Sequence, residues 1–155
     1  MKSSSKALVV YRKKVLLVLR DNMPSLKGAN KWSIPGGGLE KGETHMQGLL
    51  RELKEEINII PSDIEYLGSI GFLFLKHSLY LVRLTEKEFK MVKLDNEGQK
   101  LGWFKIGELK NIELTSTLTK YFNKYSNQLK EMVEDNKMGA ESSIFHPRQK
   151  LPTTL

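Results

Sequence analysis

The sequence predicts an α/β fold in which a mixed β-sheet lies between helices, an α/β/α sandwich. Three observations carry that prediction. Apolar runs of strand character stand on both sides of one strongly patterned helix, a second amphipathic helix comes late in the chain, and neither a repeat nor a linker divides the whole. At 155 residues the chain fits one domain with a sizeable core. That domain is expected over residues 1–136, with a C-terminal tail, extended or mobile, over 137–155.

The elements follow in order. ALVVY and VLLVLR flank Arg12-Lys13-Lys14 and read as a β-hairpin. DNMPSLKGANK, rich in Pro, Gly and Asn, reads as loop. Trp32-Ser33-Ile34 reads as a short strand stopped by Pro35 and three glycines, and a helix follows from Thr44 to Ile57. Pro61 bars its continuation. EYLGSIGFLFL and SLYLVRLT suggest paired strands split by Lys76-His77. KLGWFKI gives a further strand and IGELKNI a short helical turn. From Thr115 to Asn136, Leu118, Phe122, Tyr125, Leu129 and Val133 recur at helical spacing. The remainder, MGAESSIFHPRQKLPTTL, has no periodicity.

Composition narrows the class. A hydrophobic content of 39% with 28% charge is ordinary for a soluble globular protein. There are no cysteines, so disulfides and thiolate chemistry are excluded, which suits a reducing cytoplasm. The amino-terminal apolar run is interrupted by Arg12, Lys13 and Lys14, and no small-residue cleavage site follows. No apolar stretch approaches the ~20 residues of a membrane span, so a cytoplasmic protein without membrane contact is expected. The net charge of +7 suits attraction of anions such as nucleotides, although a lysine-rich solvated surface gives the same number. No RNA-binding signature and no compact run of basic residues is present, so nucleic acid is not favoured as partner. Monomer and homodimer are both open.

The helix over 44–57 carries the chemistry. Thr44 with Gln47 forms a capping-box pattern at its start. Met46, Leu49, Leu50, Leu53 and Ile57 fall in one stripe, and Glu52, Glu55 and Glu56 gather on another face. Glu43 sits just before the cap. Like charges at this spacing repel, unless a partner holds them. Convergent carboxylates suit a hard divalent cation such as Mg²⁺, which bridges carboxylates to substrate phosphates. Arg51, on the flank of the acids, can hold a carboxylate bidentately. The plain alternative is a solvated face whose glutamates pair with Lys54.

The stretch Gly37-x5-Glu43-x7-Arg51-Glu52-Leu53-x-Glu55-Glu56-x-Asn58-Ile59 resembles the Nudix box, the signature of Nudix (MutT-like) hydrolases. One position departs: the closing glycine of the box is Asn58, the best-tolerated substitute where the backbone turns left-handed. Gly48, inside the helix, costs up to about 1 kcal/mol against alanine, and either close packing of the loop or drift accounts for it. The likeness extends to LLVLR and WSIPGGG ahead of the box and to Trp103-Phe104 and Glu108-Leu109 after it, covering residues 6 to 125.

The resemblance implies hydrolysis within the phosphate chain of a nucleoside diphosphate linked to another group, with Mg²⁺ or Mn²⁺. By resemblance Glu52, Glu55 and Glu56 are metal ligands, the Gly36 carbonyl is another, and Glu43 and Arg51 support them. The general base is a box glutamate or a later carboxylate, for which Glu97 is the best candidate. Arg20 and Lys31 are candidates for phosphate contact, each also readable as a surface cation. His45, His77 and His146 are isolated and assigned to no metal, and Trp32 and Phe74 read as core aromatics rather than base-stacking platforms. Past the box, FLFLKHS has neither the proline of ADP-ribose hydrolases nor the tyrosine of dinucleoside polyphosphate hydrolases. That leans toward a nucleoside triphosphate giving monophosphate and pyrophosphate. An RNA 5′-end pyrophosphohydrolase and a non-catalytic nucleotide-binding domain are the alternatives.

Overall fold

The hairpin that starts the chain sets the frame. In the computed structural model, which describes residues 2–95 and 97–134, β1 (Ser4–Tyr11) and β2 (Lys14–Leu19) are antiparallel. Neither alternates apolar with polar residues, because both are covered on two faces. Ala7, Val9, Leu16 and Val18 enter one core cluster, and Leu8, Val10, Val15 and Leu17 enter the other. The turn is shorter than the sequence suggests: Arg12 and Lys13 alone make it, at φ 46° and 64°, and Lys14 opens β2. Positive φ at both central residues is the hairpin geometry that matches strand twist, here without the usual asparagine or glycine.

One mixed sheet holds all seven strands found among the described residues. The others are β3 (Trp32–Ser33), β4 (Gly36–Gly38), β5 (Asp63–Phe72), β6 (Leu75–Arg83) and β7 (Lys100–Phe104). β1 is central. β6 runs parallel to it, while β2 pairs beside its C-terminal end and β4 beside its N-terminal end. β2 carries β3 and β7, and β5 lies outside β6. The sequence marks Gly36–Gly38 only as a strand stop; it becomes a strand because the edge of β1 beyond β2 is open there and main-chain pairing needs no side chain.

The β5–β6 turn also differs from expectation. It is Leu73-Phe74, with Leu73 at φ 57° and Phe74 97% exposed, not Lys76-His77. β6 runs on through those polar residues because β1 pairs with it from His77 onward. Lys76 N–H donates to Ser3 Oγ at 3.0 Å, and Ser4 Oγ lies 2.8 Å from His77 Nδ1. Phe74 is therefore not a core aromatic. Trp32 is half-buried and flanks the core, edge-on to Phe104 with centroids 4.9 Å apart.

Helices cover the two faces. α1 (His45–Ile57) begins where its sequence predicts: Thr44 Oγ1 accepts from Gln47 N–H, and Gln47 Oε1 accepts from Thr44 N–H. It ends at Asn58, left-handed at φ 61°. Leu49, Leu53 and Ile57 bury against Ala7, Val9, Tyr80 and Val82, while Leu50 is only half-buried. A short helix that the apolar pattern does not announce, α2 (Glu86–Met91), is capped reciprocally by Thr85 and Glu88. A 3-10 turn, Ile106–Asn111, follows β7. On the opposite face α3 (Ser116–Glu134) buries Leu118, Tyr121, Leu129, Met132 and Val133 and kinks at Tyr125. The expected stripe residues Phe122 and Tyr125 flank that core rather than fill it. The tail predicted over 137–155, with His146, lies outside the described residues. No described helix is long and apolar enough to cross a membrane.

Candidate active site

Glycines let strand and helix meet. Gly36 sits at φ +121°, and a Cβ there would collide with the Ser5 carbonyl oxygen, so β4 can seat on β1 only with glycine. A Cβ on Gly37 would fall 2.7 Å from the Glu52 carboxylate, so bare backbone makes room for that side chain. Gly48 has the same logic: a Cβ would run into Leu39, whose loop closes over the start of α1. The atom met is the terminal methyl of a side chain that can turn aside, so the loop packs closely at Gly48 without strictly requiring glycine.

Arg51 gathers the acids. Its Nε donates to Glu43 Oε1 at 2.6 Å and its Nη2 to Glu43 Oε2 at 3.0 Å, a two-pronged pair. Nη1 reaches Glu52 Oε1 at 2.9 Å and Glu55 Oε2 at 3.2 Å, and Nη2 also meets the Gly38 carbonyl at 3.0 Å. One guanidinium thus offsets the repulsion among glutamates on neighbouring turns. The Arg51 hydrogen bond, helped by the Glu40 N–H, holds the Glu43 carboxyl down at about 2, and the same pair raises Arg51. Lys54, the other candidate counter-ion, turns away and donates to Asn58 Oδ1 at 3.0 Å.

Glu56 is held differently. Its Oε2 accepts from the Gly36 N–H at 2.9 Å. Burial pushes its carboxyl up to about 7, against the pull of that N–H and of Lys6. Lys6 is the residue sequence reasoning passes over. Its Nζ donates to the Gly36 carbonyl at 2.9 Å and to the Ile34 carbonyl at 3.5 Å. Burial lowers its pKa, opposed by the Glu56 charge. The available signal was a lysine directly ahead of the unbroken apolar run ALVV in the first strand.

Gly36, Glu52, Glu55, Glu56 and Glu97 line one cavity of about 730 Å³. The Glu97 loop is tied down on two sides. Asp95 N–H donates to the Glu56 carbonyl at 3.1 Å, and Gly98 N–H to Asp21 Oδ2 at 3.2 Å. Arg20 lines the same cavity; Glu43 stands behind Arg51, and Lys31 is exposed and lines neither this cavity nor its neighbour. A second cavity of about 590 Å³ opens beneath α3, with Ile70, His77, Tyr121 and Tyr125 in its wall. The two share Ser4, Lys6, Arg20 and Lys27, so they form one cleft with two chambers. His45 Nδ1 lies 3.1 Å from Ser5 Oγ, a structural contact away from the acids.

The donor chemistry fits a hard divalent cation: carboxylate and carbonyl oxygens facing one cavity, one of the acids driven toward neutrality by burial. As they stand, no three acidic or histidine side chains among the described residues are close enough to hold an ion. Arg51 holds Glu52 and Glu55, and Lys6 holds the Gly36 carbonyl, so both must yield for the oxygens to converge.

An α/β/α sandwich with its acids on one helix beneath a glycine strand is the Nudix architecture. The NUDIX domain profile matches residues 2–125, and the chain belongs to that family. Relatives include Nudix hydrolase 5 of Arabidopsis thaliana, 25% identical over 82% of this chain and 41% of its own. An RNA pyrophosphohydrolase of Legionella pneumophila is 50% identical over 50% of this chain and 41% of its own. The chain thus spans less than half the length of these two curated relatives. Among solved structures, one from an analysis of MutT of Aliivibrio salmonicida and Vibrio cholerae is similar at TM-score 0.66 and 26% identity, covering 81% of this chain and 97% of that one. The NUDIX domain of Shewanella oneidensis NrtR, in complex with ADP ribose, shares the fold at TM-score 0.65 and 20% identity, over 83% of this chain and 88% of that one.

Proposed function

We propose that the protein hydrolyses a phosphoanhydride bond in a nucleoside diphosphate linked to a further group, with a nucleoside triphosphate as substrate, giving nucleoside monophosphate and pyrophosphate. The observation that carries this reading is the two-chambered cleft. Glu52, Glu55, Glu56 and Glu97 line one chamber, and Lys6, Arg20 and Lys27 join it to the second. A nucleotide needs that division, since its phosphates seek cations while its base seeks an apolar slot with a few placed polar groups. Ile70, Tyr121 and Tyr125 beside Ser4, His77 and Ser78 offer such a slot.

The Glu52, Glu55 and Glu56 carboxylates with the Gly36 carbonyl would hold Mg²⁺ or Mn²⁺. When bound, that ion supplies neutralisation of the phosphate chain and Lewis acidity. The chain's own residues do the rest. Arg20 and Lys27 bind phosphate oxygens, and Arg51 with Glu43 fixes the carboxylates that face them. Glu97, on its anchored loop, takes the proton of the attacking water as the new P–O bond forms and the bridging P–O bond breaks.

The test is turnover by the full chain with Mg²⁺ of nucleoside triphosphates and their oxidised forms, ADP-ribose, dinucleoside polyphosphates, and capped or triphosphorylated RNA. Monophosphate and pyrophosphate from a free triphosphate is the expected result; no turnover of any of these overturns the reading. A second reading, release of pyrophosphate from RNA 5′ ends, has support in the Legionella relative and in Lys120 and Lys124 at the second chamber. Higher kcat/KM on triphosphorylated RNA than on the matching free nucleotide would favour it.

A further inference from the structure

Lys6 is a lysine among acids that bonds to none of them. Glu56, Glu52 and Glu97 all act on it electrostatically, yet its hydrogen bonds go to two carbonyls, Gly36 at 2.9 Å and Ile34 at 3.5 Å. An ammonium has three donors, so these two contacts leave one unassigned. Arg20 stands beside it as a second cation and lowers its pKa further. The Arg20 Nε is buried and has no hydrogen-bond partner. Both side chains line both chambers, where the two meet. Glu56, Glu52 and Glu97 offset part of the repulsion between the two cations, but none of them reaches the Arg20 Nε, whose buried donor is costly until an acceptor meets it. The carbonyl that Lys6 occupies is also the one a divalent ion would need.

We infer that Lys6 is an exchanging cation: its ammonium holds the Gly36 carbonyl in the metal-free protein and passes to a substrate phosphate beside Arg20 when a divalent ion takes that carbonyl. This rests on the hydrolase reading above and adds a coupling to it. The Gly36 carbonyl oxygen has two lone pairs, but an ammonium and a divalent ion both at bonding distance from it stand close enough to repel strongly, so the ion displaces the ammonium. A phosphate where the chambers meet gives the displaced ammonium a new partner and meets the Arg20 Nε in the same place. Metal and substrate therefore favour each other's binding, because each relieves what the other leaves unpaired. The tether is short: β1 pairs with β4 at Lys6 and Gly36, so the stem stays put and only the side chain swings.

The test compares the wild-type chain with Lys6→Met and, as a second variant that keeps a polar tip, Lys6→Gln. Folding is checked by circular dichroism and melting temperature. Mn²⁺ binding is followed by electron paramagnetic resonance without nucleotide, at one fixed pH for all three proteins. Both variants are expected to bind Mn²⁺ about tenfold more tightly, since a competing charge has left the site. Both should show a raised KM for the substrate found in the screen, and imidodiphosphate should tighten Mn²⁺ binding less than in wild type. Unchanged or weaker Mn²⁺ binding in a folded variant overturns the exchange, as does tighter binding with an unchanged KM. Absence of both turnover and Mn²⁺ binding to the wild-type chain, even with imidodiphosphate, overturns the hydrolase reading and this inference with it; turnover by wild type with no gain in Mn²⁺ affinity in either variant overturns this inference alone.

Discussion

Glu43 and Glu56 belong to one short stretch of sequence, yet the protein treats them in opposite ways. At the rim, Glu43 is gripped by the Arg51 fork and stays ionised down to about pH 2. On the floor, Glu56 has one N–H and a distant ammonium, and burial keeps it half-protonated at about pH 7. The rim acid is already satisfied. The floor acid is not, and a buried carboxyl driven toward neutrality is what a cation would convert back to an anion. On the hydrolase reading, Glu43 is then the supporting residue and Glu56 the binding one.

The largest expected effect breaks the comparison at the floor. Glu56→Gln keeps the shape and the Gly36 hydrogen bond but removes the charge. Turnover should fall roughly 10²–10³-fold, the range for losing one preorganised electrostatic group. Circular dichroism should be unchanged. Retained Mg²⁺-dependent activity in steady-state assays would reject the role given to Glu56.

The same substitution sharpens the comparison in the metal-free protein. A carboxyl raised from 4.5 to about 7 by folding contributes stability that is complete below pH 4.5 and is lost as pH rises through 7, because the unfolded chain releases its proton first. In EDTA the wild-type chain should therefore lose on the order of 3 kcal/mol between pH 4.5 and 8 on account of this group, while Glu56→Gln should not. Urea melts at several pH values measure it. A wild-type profile parallel to the variant's would place Glu56 in a wetter setting than its burial implies.

Next comes the rim fork. Arg51→Lys keeps the charge but cannot grip Glu43 with two parallel bonds while reaching Glu52 and Glu55. A supporting residue of this kind is worth about 10–100-fold in activity or metal affinity. Mn²⁺ titration alongside kcat/KM would register it; an effect as large as that of Glu56→Gln would erase the distinction between rim and floor.

The rim was legible in the sequence and much of the floor was not. Gln47, Arg51, Glu52, Glu55 and Glu56 lie within one helix, with Thr44 and Glu43 at its entry, where a fixed rise and turn converts spacing into position. The cap, the apolar stripe and the acidic face could all be read from residues four or fewer apart. Lys6 meets Gly36 thirty residues away across a strand pairing, and nothing local in KSSSKALVV states that register. β4 escaped for a related reason, since a run of glycines carries no side-chain pattern and pairs only because an edge of β1 is open. At Lys76-His77 polarity suggested a turn, but those residues lie in a strand end where serines of β1 and its lead-in give them partners. Glu97 was reachable only as a carboxylate in a polar loop, and its approach to the cavity depends on main-chain ties to α1 and to Asp21. Local chemistry was readable; long-range register was not.

The smallest effect tests whether the rim acid matters to the fold at all. Glu43→Gln removes a carboxyl whose pKa folding lowers from 4.5 to about 2. The sign is opposite to that of Glu56: the stabilisation is present above pH 4.5 and is lost as pH falls from there toward 2. The variant should match wild type in the acid limit and melt slightly lower near neutrality, with the gap closing across that window. Activity should drop less than with Arg51→Lys, because the fork still reaches Glu52 and Glu55. The pair is close to solvent, so added salt should shrink the neutral-pH gap, whereas the Glu56 slope, set by burial, should keep its size. A gap insensitive to both acid and salt would mean that Glu43 works through packing around Gly48 and Leu39 rather than through its charge.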